Sequence, residues 1–198
     1  MDFGPVRIAY DETVIEPRPW TVHQSEWAAE VARDLGHGPI LELCSGAGQI
    51  GLAAAVLSGR DLVQVDASPD ACRLARANAD AAGHGRRVEV RNAPIAVALG
   101  EAERFPLVLA DPPYIPTHQV EDFDDPRHAI DGGDDGMEFL VDCCVLAVRH
   151  LVSGGVLSVQ LWGSHQAANL RRRLPQGLVE GELRSFASDR AVWHLTRV

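Results

Sequence analysis

The sequence predicts an α/β protein with a doubly wound, mostly parallel seven-stranded sheet and an antiparallel edge near its C-terminus. From residue 40 onward, short apolar runs alternate with stretches of helical periodicity, which is typical of parallel sheets covered by helices. The apolar run 107–110 (Leu-Val-Leu-Ala) has the continuous hydrophobicity of a strand buried on both faces. With 198 residues, 46% of them hydrophobic, the chain is long enough to bury a full core as one globular unit.

The predicted elements follow in order along the chain. A hairpin (6–10 with 13–15) and a helix at about 25–35 come first. The later strands are expected at 40–43, 62–65, 87–90, 107–110, 156–161, 178–186 and 191–198. The later helices are expected at 49–57, 69–82 with Ser68 as N-cap, 95–99 as a short turn or helix, 137–151, and 165–174 with Ser164 as N-cap. A turn is expected at 153–155, and a polar loop at 115–133.

Charge and composition argue against several classes of function. The 18 basic and 28 acidic residues give a formal charge of −10, which disfavours nucleic acid because phosphate binding depends on clustered cations. No apolar run reaches the roughly 18 residues of a membrane helix and no signal pattern opens the chain, so we expect a cytoplasmic protein without membrane contact. Four cysteines without C-x-x-C spacing and eight scattered histidines predict reduced thiols and no metal site.

The tetrapeptide Asp111-Pro112-Pro113-Tyr114 follows the apolar run 107–110, where ligands bind at the carboxyl end of a parallel strand. The two prolines fix two φ angles and remove two N–H groups, so the backbone turns rigidly with its carbonyls available as acceptors. A carboxylate, a bare carbonyl and an aromatic ring together suit a planar group that carries an N–H₂. The tetrapeptide therefore predicts a site for such a group.

A second candidate site is the first strand-to-helix turn, where Gly46, Gly48 and Gly51 allow the backbone to approach a ligand closely. This spacing is G-x-G-x-x-G, and Asp66 ends the next strand about 20 residues later, ready to accept both ribose hydroxyls. Glycine spacing alone does not separate a nicotinamide enzyme from a methyltransferase. Glu42 favours the second, because a carboxylate there would repel a pyrophosphate but suit a positively charged sulfonium–amino-acid group.

The chain resembles the class I S-adenosylmethionine-dependent methyltransferases, and in particular the HemK/PrmC family of protein-(glutamine-N5) methyltransferases. The likeness covers about residues 14–198, and its most specific part is the 126–137 loop. The matching stretches are 17–19 (Pro-Arg-Pro), 42–51, 111–116 (Asp-Pro-Pro-Tyr-Ile-Pro), 126–137 (Pro-Arg-His-Ala-Ile-Asp-Gly-Gly-Asp-Asp-Gly-Met) and 189–192 (Asp-Arg-Ala-Val).

This resemblance implies a Rossmann-like methyltransferase sheet, S-adenosyl-L-methionine as cofactor and methyl transfer to an amide or amine nitrogen, with a protein glutamine side chain as the first expectation. Residues 39–198 would form the cofactor-binding domain, with the hairpin and helix of 1–38 packed on it. The expected cofactor contacts are Glu42, Cys44, Gly46, Gly48, Asp66, Ala67, Asn92, Ala93 and Asp111. The expected catalytic residues are Asp111, Pro112 and Tyr114, and the expected substrate contacts are those three with Pro113 and Arg18.

Three departures from the family pattern bear on the acceptor. Only about 15 residues precede the likeness, where the family has a helical domain that engages the release factor. Asp111 stands where the family has asparagine, a choice shared by amino-methyltransferases that act on nucleic-acid bases. Asn92-Ala93-Pro94 replaces a segment with an acidic residue for the adenine amine, so we expect that contact either to be weaker or to be made by Asn92.

Other interpretations remain open. A base-amine methyltransferase on rRNA, tRNA or DNA is favoured by Asp111 and opposed by the charge of −10. An NAD-dependent oxidoreductase is favoured by the glycine spacing alone, and a non-catalytic cofactor-binding module is a fourth possibility. The segment 119–135 carries seven acidic residues and one arginine, Arg127, and we interpret it as a substrate-facing lid that disfavours phosphate-rich acceptors.

Overall fold

A seven-stranded mixed sheet lies at the centre of this computed structural model, which describes residues 1–187 and 189–198. A small hairpin of β1 (Asp2–Phe3) and β2 (Val6–Arg7) precedes the sheet. The strands of the sheet are β3 (Ile40–Leu43), β4 (Leu62–Asp66), β5 (Val88–Asn92), β6 (Phe105–Ala110), β7 (Leu151–Leu161), β8 (Leu178–Ala187) and β9 (Arg190–Arg197). The helices are α1 (Val22–Ala32), α2 (Gln49–Ser58), α3 (Pro69–Ala81), α4 (Arg127–Ile130), α5 (Glu138–His150) and α6 (Gly163–Arg171).

The strand order of the sheet is β5-β4-β3-β6-β7-β9-β8. The first five strands in this order are parallel, and β9 runs antiparallel between β7 and β8. This arrangement confirms the predicted fold class. The strand order reverses between β3 and β6. The connection that follows β3 and the connection that follows β6 therefore run to opposite sides of the sheet, which opens a crevice at the carboxyl ends of these two strands.

Two hydrophobic clusters cover the two faces of the sheet because side chains alternate along each strand. Leu41 and Leu43 of β3 join the cluster beneath α5 and α6. Ile40 lies on the other face with α1, α2 and the N-terminal hairpin. Glu42 therefore shares the α2 side of β3 with Ile40, and this placement decides its environment at the site.

The N-terminal segment differs from the sequence prediction. The hairpin forms at residues 2–7 rather than 6–15, since Gly4 (φ +53°) and Pro5 supply the turn. Ala9 instead exchanges two hydrogen bonds with the Asn78 side chain, at 2.8 and 2.9 Å, which fastens the following segment to α3. Helix α1 begins three residues earlier than predicted because a 3₁₀ turn at Pro19–Thr21 leads directly into it.

The C-terminal half contains further differences. The predicted turn at 153–155 lies inside β7, where Gly154 has a φ of +75° and the pairing with β6 shifts register between Phe105 and Leu107. Ser164 is not the N-cap of α6, which begins at Gly163 and ends at Arg171. Ser68 does cap α3 as predicted, accepting a hydrogen bond from the amide of Ala71 at 3.2 Å.

The segment predicted as a long loop at 115–133 is more ordered than expected. It contains a 3₁₀ helix at Thr117–Asp122 and the single turn of α4. Ile115 pairs with Asp131 in an isolated bridge, and Gly132 donates its amide to the Ile115 carbonyl at 2.8 Å. These contacts close the segment into a compact unit that covers the carboxyl end of β6.

Over residues 1–187 and 189–198, no helix has the length and apolar content needed to cross a membrane. Within the same residues, no group of three or more His, Cys, Asp or Glu side chains is arranged to hold a metal ion. Cys44, Cys72, Cys143 and Cys144 are present as thiols.

Candidate active site

A cavity of about 700 Å³ opens at the carboxyl ends of β3, β4 and β6, where the topology places a ligand site. Its wall contains five of the predicted cofactor residues: Cys44, Gly46, Asp66, Ala67 and Asp111. Four others, Glu42, Gly48, Asn92 and Ala93, do not line it. The size suits a nucleoside-sized ligand, since ligand pockets usually measure about 300–1,000 Å³.

The loop after β3 is held in a tight left-handed path. Cys44, Gly46 and Gly48 have φ angles of +57°, +53° and +82°. Cys44 is the one non-glycine residue with positive φ in the described part of the chain, a conformation that costs an L-residue about 1–2 kcal/mol. At Gly48 a Cβ atom would lie 2.6 Å from Nε2 of Gln64, so the close packing also requires glycine. This loop and the start of α2 form one wall of the cavity.

Glu42 lies behind this loop, 3% exposed, and supports it from below. Its carboxylate accepts hydrogen bonds from the Gly51 amide at 2.8 Å and from Nε2 of Gln64 at 2.7 Å. Burial raises the pKa of Glu42 to about 7, and the two hydrogen bonds limit the rise. Because both oxygens already have protein partners, the direct contact of Glu42 with a cofactor stays a prediction.

Asp66 joins the glycine loop to the end of β4. Its side chain accepts from the Gly46 amide and the Ser68 amide, each at 2.8 Å. Burial raises the pKa of Asp66, although both hydrogen bonds and the nearby His128 oppose the rise. Asn92 donates to the carbonyls of Asp66 and Ala67 at 3.1 and 3.0 Å. Asn92 thus shapes the wall beside Asp66, and its contact with adenine stays a prediction.

Two buried polar atoms lack partners at the larger cavity. Oγ of Ser45 and Oε1 of Gln49 make no hydrogen bond with the described residues, and both residues belong to the cavity wall. Buried polar atoms are rarely left unpaired, so these two suit a polar ligand beside the glycine loop.

A smaller cavity of about 240 Å³ adjoins the larger one, and Asp111 lies in the wall of both. Burial raises the pKa of Asp111 to about 7, and the positive charge of Arg190 limits the rise. The carbonyl of Pro112 accepts no hydrogen bond from the residues that the structure describes. Asp111, Pro112, Pro113 and Tyr114 all line the smaller cavity, so the structure brings the predicted catalytic residues together there.

Tyr114 is half-buried and forms part of the wall of the smaller cavity. Burial raises the pKa of its phenol well above the usual range, and the charge of Asp111 adds to the effect. Its carbonyl accepts from Nε2 of Gln166 at 3.0 Å, and the same Nε2 donates to the Gly136 carbonyl at 3.1 Å. Gln166 therefore fixes the backbone at the end of the tetrapeptide.

Arg18 connects the N-terminal segment to the acidic segment 119–135. Its Nη2 contacts both carboxylate oxygens of Asp125, at 2.7 and 2.8 Å. Arg18 lines both cavities, whereas Asp125 lines the smaller one. His128 and Ala129 of the acidic segment border the larger cavity. Part of the segment therefore lies at the site, and its role as a substrate-facing lid stays a prediction.

Several residues at the site were missed by sequence reasoning. At the smaller cavity they are Ile15, Trp20, Ile115, Phe123, Asp125, Ala129, Ile130, Gln160 and Arg190. At the larger cavity they include Thr13, Glu16, Pro94, Ile95, Phe139 and Asp142. Arg190 belongs to the stretch 189–192, which carries part of the resemblance but was assigned no role at the site, and no local pattern marked Gln160.

Comparison with known proteins identifies a family and several relatives of this chain. A family model described as conserved hypothetical protein 95 matches residues 21–125. A release factor glutamine methyltransferase of Mycolicibacterium smegmatis is 36% identical over 168 residues, which are 80% of this chain and 57% of that protein. Another, from Geobacter sulfurreducens, is 36% identical over 158 residues, 75% of this chain and 53% of the relative. The chain thus spans about half the length of the curated relatives it matches.

The predicted resemblance to glutamine methyltransferases is confirmed by these relatives. The crystal structure of ribosomal protein L11 methylase from Lactobacillus delbrueckii subsp. bulgaricus superposes with a TM-score of 0.71. The superposition covers 97% of this chain and 84% of the other at 15% identity, and it therefore shows a shared fold. Since the family match extends over slightly more than half of its residues, the chain belongs to the family described as conserved hypothetical protein 95.

Proposed function

We propose that this chain is an S-adenosylmethionine-dependent N-methyltransferase that acts on the side-chain amide of a protein glutamine. The observation that carries the proposal is the position of Asp111 in the wall shared by the two cavities. A donor bound in the larger cavity and an acceptor bound in the smaller one would meet at this carboxylate.

The larger cavity fits the donor in size and in chemistry. Asp66 would accept the ribose hydroxyls, and the unpaired Ser45 and Gln49 side chains offer further polar contacts. Glu42 places a carboxylate behind the glycine loop, where it would favour a cationic group over a pyrophosphate. When bound, S-adenosylmethionine supplies an electrophilic methyl group, so this chain mainly has to contribute orientation and electrostatics.

Asp111 and Pro112 would orient the acceptor nitrogen. An amide nitrogen is a poor nucleophile because its lone pair is delocalised into the carbonyl group. Hydrogen bonds from the acceptor N–H₂ to the Asp111 carboxylate and the Pro112 carbonyl would direct the lone pair toward the larger cavity and stabilise developing positive charge. The Tyr114 ring would border the flat face of the acceptor.

The acceptor class follows from charge and from the relatives. The charge of −10 and the acidic segment over the site oppose a phosphate-rich acceptor. The two curated relatives are named release factor glutamine methyltransferases, so a release factor is the first partner to test. The second candidate is a base amine of RNA or DNA, which the carboxylate at position 111 favours.

Calorimetry followed by a labelled transfer assay tests the proposal. We expect the protein to bind S-adenosylmethionine and S-adenosylhomocysteine but not NAD. With labelled donor, a release factor that carries a Gly-Gly-Gln loop should gain label that protease releases and nuclease does not. Binding of NAD would support an oxidoreductase, label on nucleic acid would support the second candidate, and donor binding without any transfer would indicate a non-catalytic module.

A further inference from the structure

Gln160 is a buried polar residue to which the proposed mechanism gives no role. It lies near the end of β7, opposite Val192 of β9, and is 1% exposed. Its Oε1 has no hydrogen-bond partner among residues 1–187 and 189–198. A buried amide oxygen without a partner is unfavourable, so a ligand that donates a hydrogen bond would explain its presence.

Gln160 lines the smaller cavity together with Asp111 and Arg190, and its side-chain amide lies within hydrogen-bonding reach of the Tyr114 phenol. Asp111 is partly exposed and receives no hydrogen bond from the described residues, so its carboxylate is available as a second acceptor beside the unpaired Oε1 of Gln160. Arg190 adds a cation that lies near enough to Asp111 to lower the pKa that burial has raised. The cavity therefore combines acceptors for N–H groups with a donor for an oxygen atom.

Arg190 has donors to spare for such an oxygen. Within the described chain, both of its hydrogen bonds run from Nη1, to the carbonyl of Asp189 at 3.0 Å and to its carboxylate at 2.7 Å. A guanidinium carries five N–H donors, so its Nη2 and Nε remain for a ligand. The guanidinium also lies over the Trp20 ring, 5.8 Å from its centroid, which holds it at the cavity wall.

We infer that Gln160 and Arg190 make the smaller cavity selective for a primary carboxamide. Asp111 accepts one N–H of the carboxamide, Oε1 of Gln160 shares the other with the Pro112 carbonyl, and the Arg190 guanidinium donates to the carboxamide oxygen. This inference rests on the proposed function and names the two residues that would determine its specificity.

The same arrangement rejects the nearest alternatives on chemical grounds. An alkyl ammonium offers donors but no acceptor, and Arg190 repels its charge. A carboxylate offers acceptors only, so it leaves Gln160 unpaired and faces the Asp111 charge. An apolar side chain of equal length leaves all three protein groups without partners.

Binding of small probes to the protein saturated with S-adenosylhomocysteine tests the inference. The probes are N-acetylglutamine methylamide, its glutamate and norleucine analogues, and adenosine, each titrated by NMR. We expect wild type to bind the glutamine probe about tenfold more tightly than the norleucine probe. Gln160→Met should reduce this preference to within about twofold, as should Arg190→Met, which alters a less buried side chain.

Gln176→Met is the matched control, because Gln176 is exposed in the turn before β8 and touches neither cavity. It should keep the wild-type preference, and unchanged affinity for S-adenosylhomocysteine confirms that each variant is folded. The inference is overturned if both Gln160→Met and Arg190→Met keep the glutamine preference, or if adenosine binds more tightly than the glutamine probe.

The readout is binding, so the result is independent of methyl transfer. Selective carboxamide binding without label transfer to any glutamine would contradict the proposed function and still support the carboxamide site. Label transfer to glutamine, together with an unchanged preference for the glutamine probe in both variants, would support the proposed function and contradict the roles of Gln160 and Arg190.

Discussion

The amide of Gly46 donates a hydrogen bond to the Asp66 carboxylate at 2.8 Å, joining two loops that are 20 residues apart in sequence. The same carboxylate accepts from the Ser68 amide, so one side chain fixes the glycine loop and the start of α3. The wall of the larger cavity therefore depends on Asp66 before any ligand binds.

Asp66→Ala should weaken binding of S-adenosylhomocysteine at least about 30-fold, because it removes two hydrogen bonds to a charged acceptor and the predicted ribose contact. Calorimetry measures the change. Asp70→Ala, at an exposed position in the first turn of α3, is the control and should bind normally. Equal affinity for wild type and Asp66→Ala would show that the ligand does not use this wall.

Gly48→Ala and Gly59→Ala compare two left-handed positions at the ends of α2, with φ of +82° and +70°. Both substitutions strain the backbone, by about 1–2 kcal/mol. Only at Gly48 would the new methyl group also lie 2.6 Å from the Gln64 side chain. This contact should increase the loss of stability by a further amount of about 1–3 kcal/mol. Urea unfolding should therefore show Gly48→Ala as clearly the less stable variant. Equal losses would mean that Gln64 moves aside without cost.

Glu42 should make stability depend on pH. Its folded pKa is raised to about 7, so the native state keeps a proton that the unfolded chain releases at a pH of about 4.3. The native state thus binds more protons between these values, and the contribution to stability is lost as pH rises through about 7. Glu42→Gln cannot ionise, so its free energy of unfolding relative to that of wild type should rise by about 3 kcal/mol from pH 4.5 to pH 8.

Thermal or urea unfolding of both proteins across this pH range measures the gain. Glu101→Gln, at an exposed position, is the control and should follow wild type. A difference between Glu42→Gln and wild type that stays constant with pH would show that the buried carboxyl does not titrate in this range.

The ion pair between Arg18 and Asp125 should affect the acceptor more than the donor. Asp125→Asn removes the charge that holds Arg18 at the smaller cavity, and we expect the KM for the acceptor to rise about threefold, as for a partly exposed pair. Affinity for S-adenosylhomocysteine should stay unchanged. Asp124→Asn removes an equal charge from an exposed position of the same segment, and an equal rise in its KM would point to net charge instead.

The sequence predicted the parts of the fold that depend on local patterns. The apolar run 107–110 located β6 and the tetrapeptide after it, and Ser68 located the start of α3. Short-range signals of this kind are sufficient because burial and capping act over a few residues. The predicted turn at 153–155 was placed outside β7 because a glycine pair usually ends a strand, whereas here the strand continues through an irregular pairing.

The features of the site that the sequence did not predict depend on the direction of side chains. Glu42 faces α2 rather than the cavity because the alternation of β3 sets its direction. Gln160 points away from the face of β7 that carries Val159 and Leu161, because side chains alternate along the strand. The local sequence gives the alternation but not which helix or cavity covers each face, since that depends on the order of strands in the sheet.

The most direct test is methyl transfer by Asp111→Ala to a release factor that carries a Gly-Gly-Gln loop. If Asp111 orients the acceptor and stabilises charge, turnover should fall about 10²–10³-fold while affinity for S-adenosylhomocysteine changes less than about threefold. Turnover within about threefold of wild type would contradict a nitrogen acceptor held at this carboxylate.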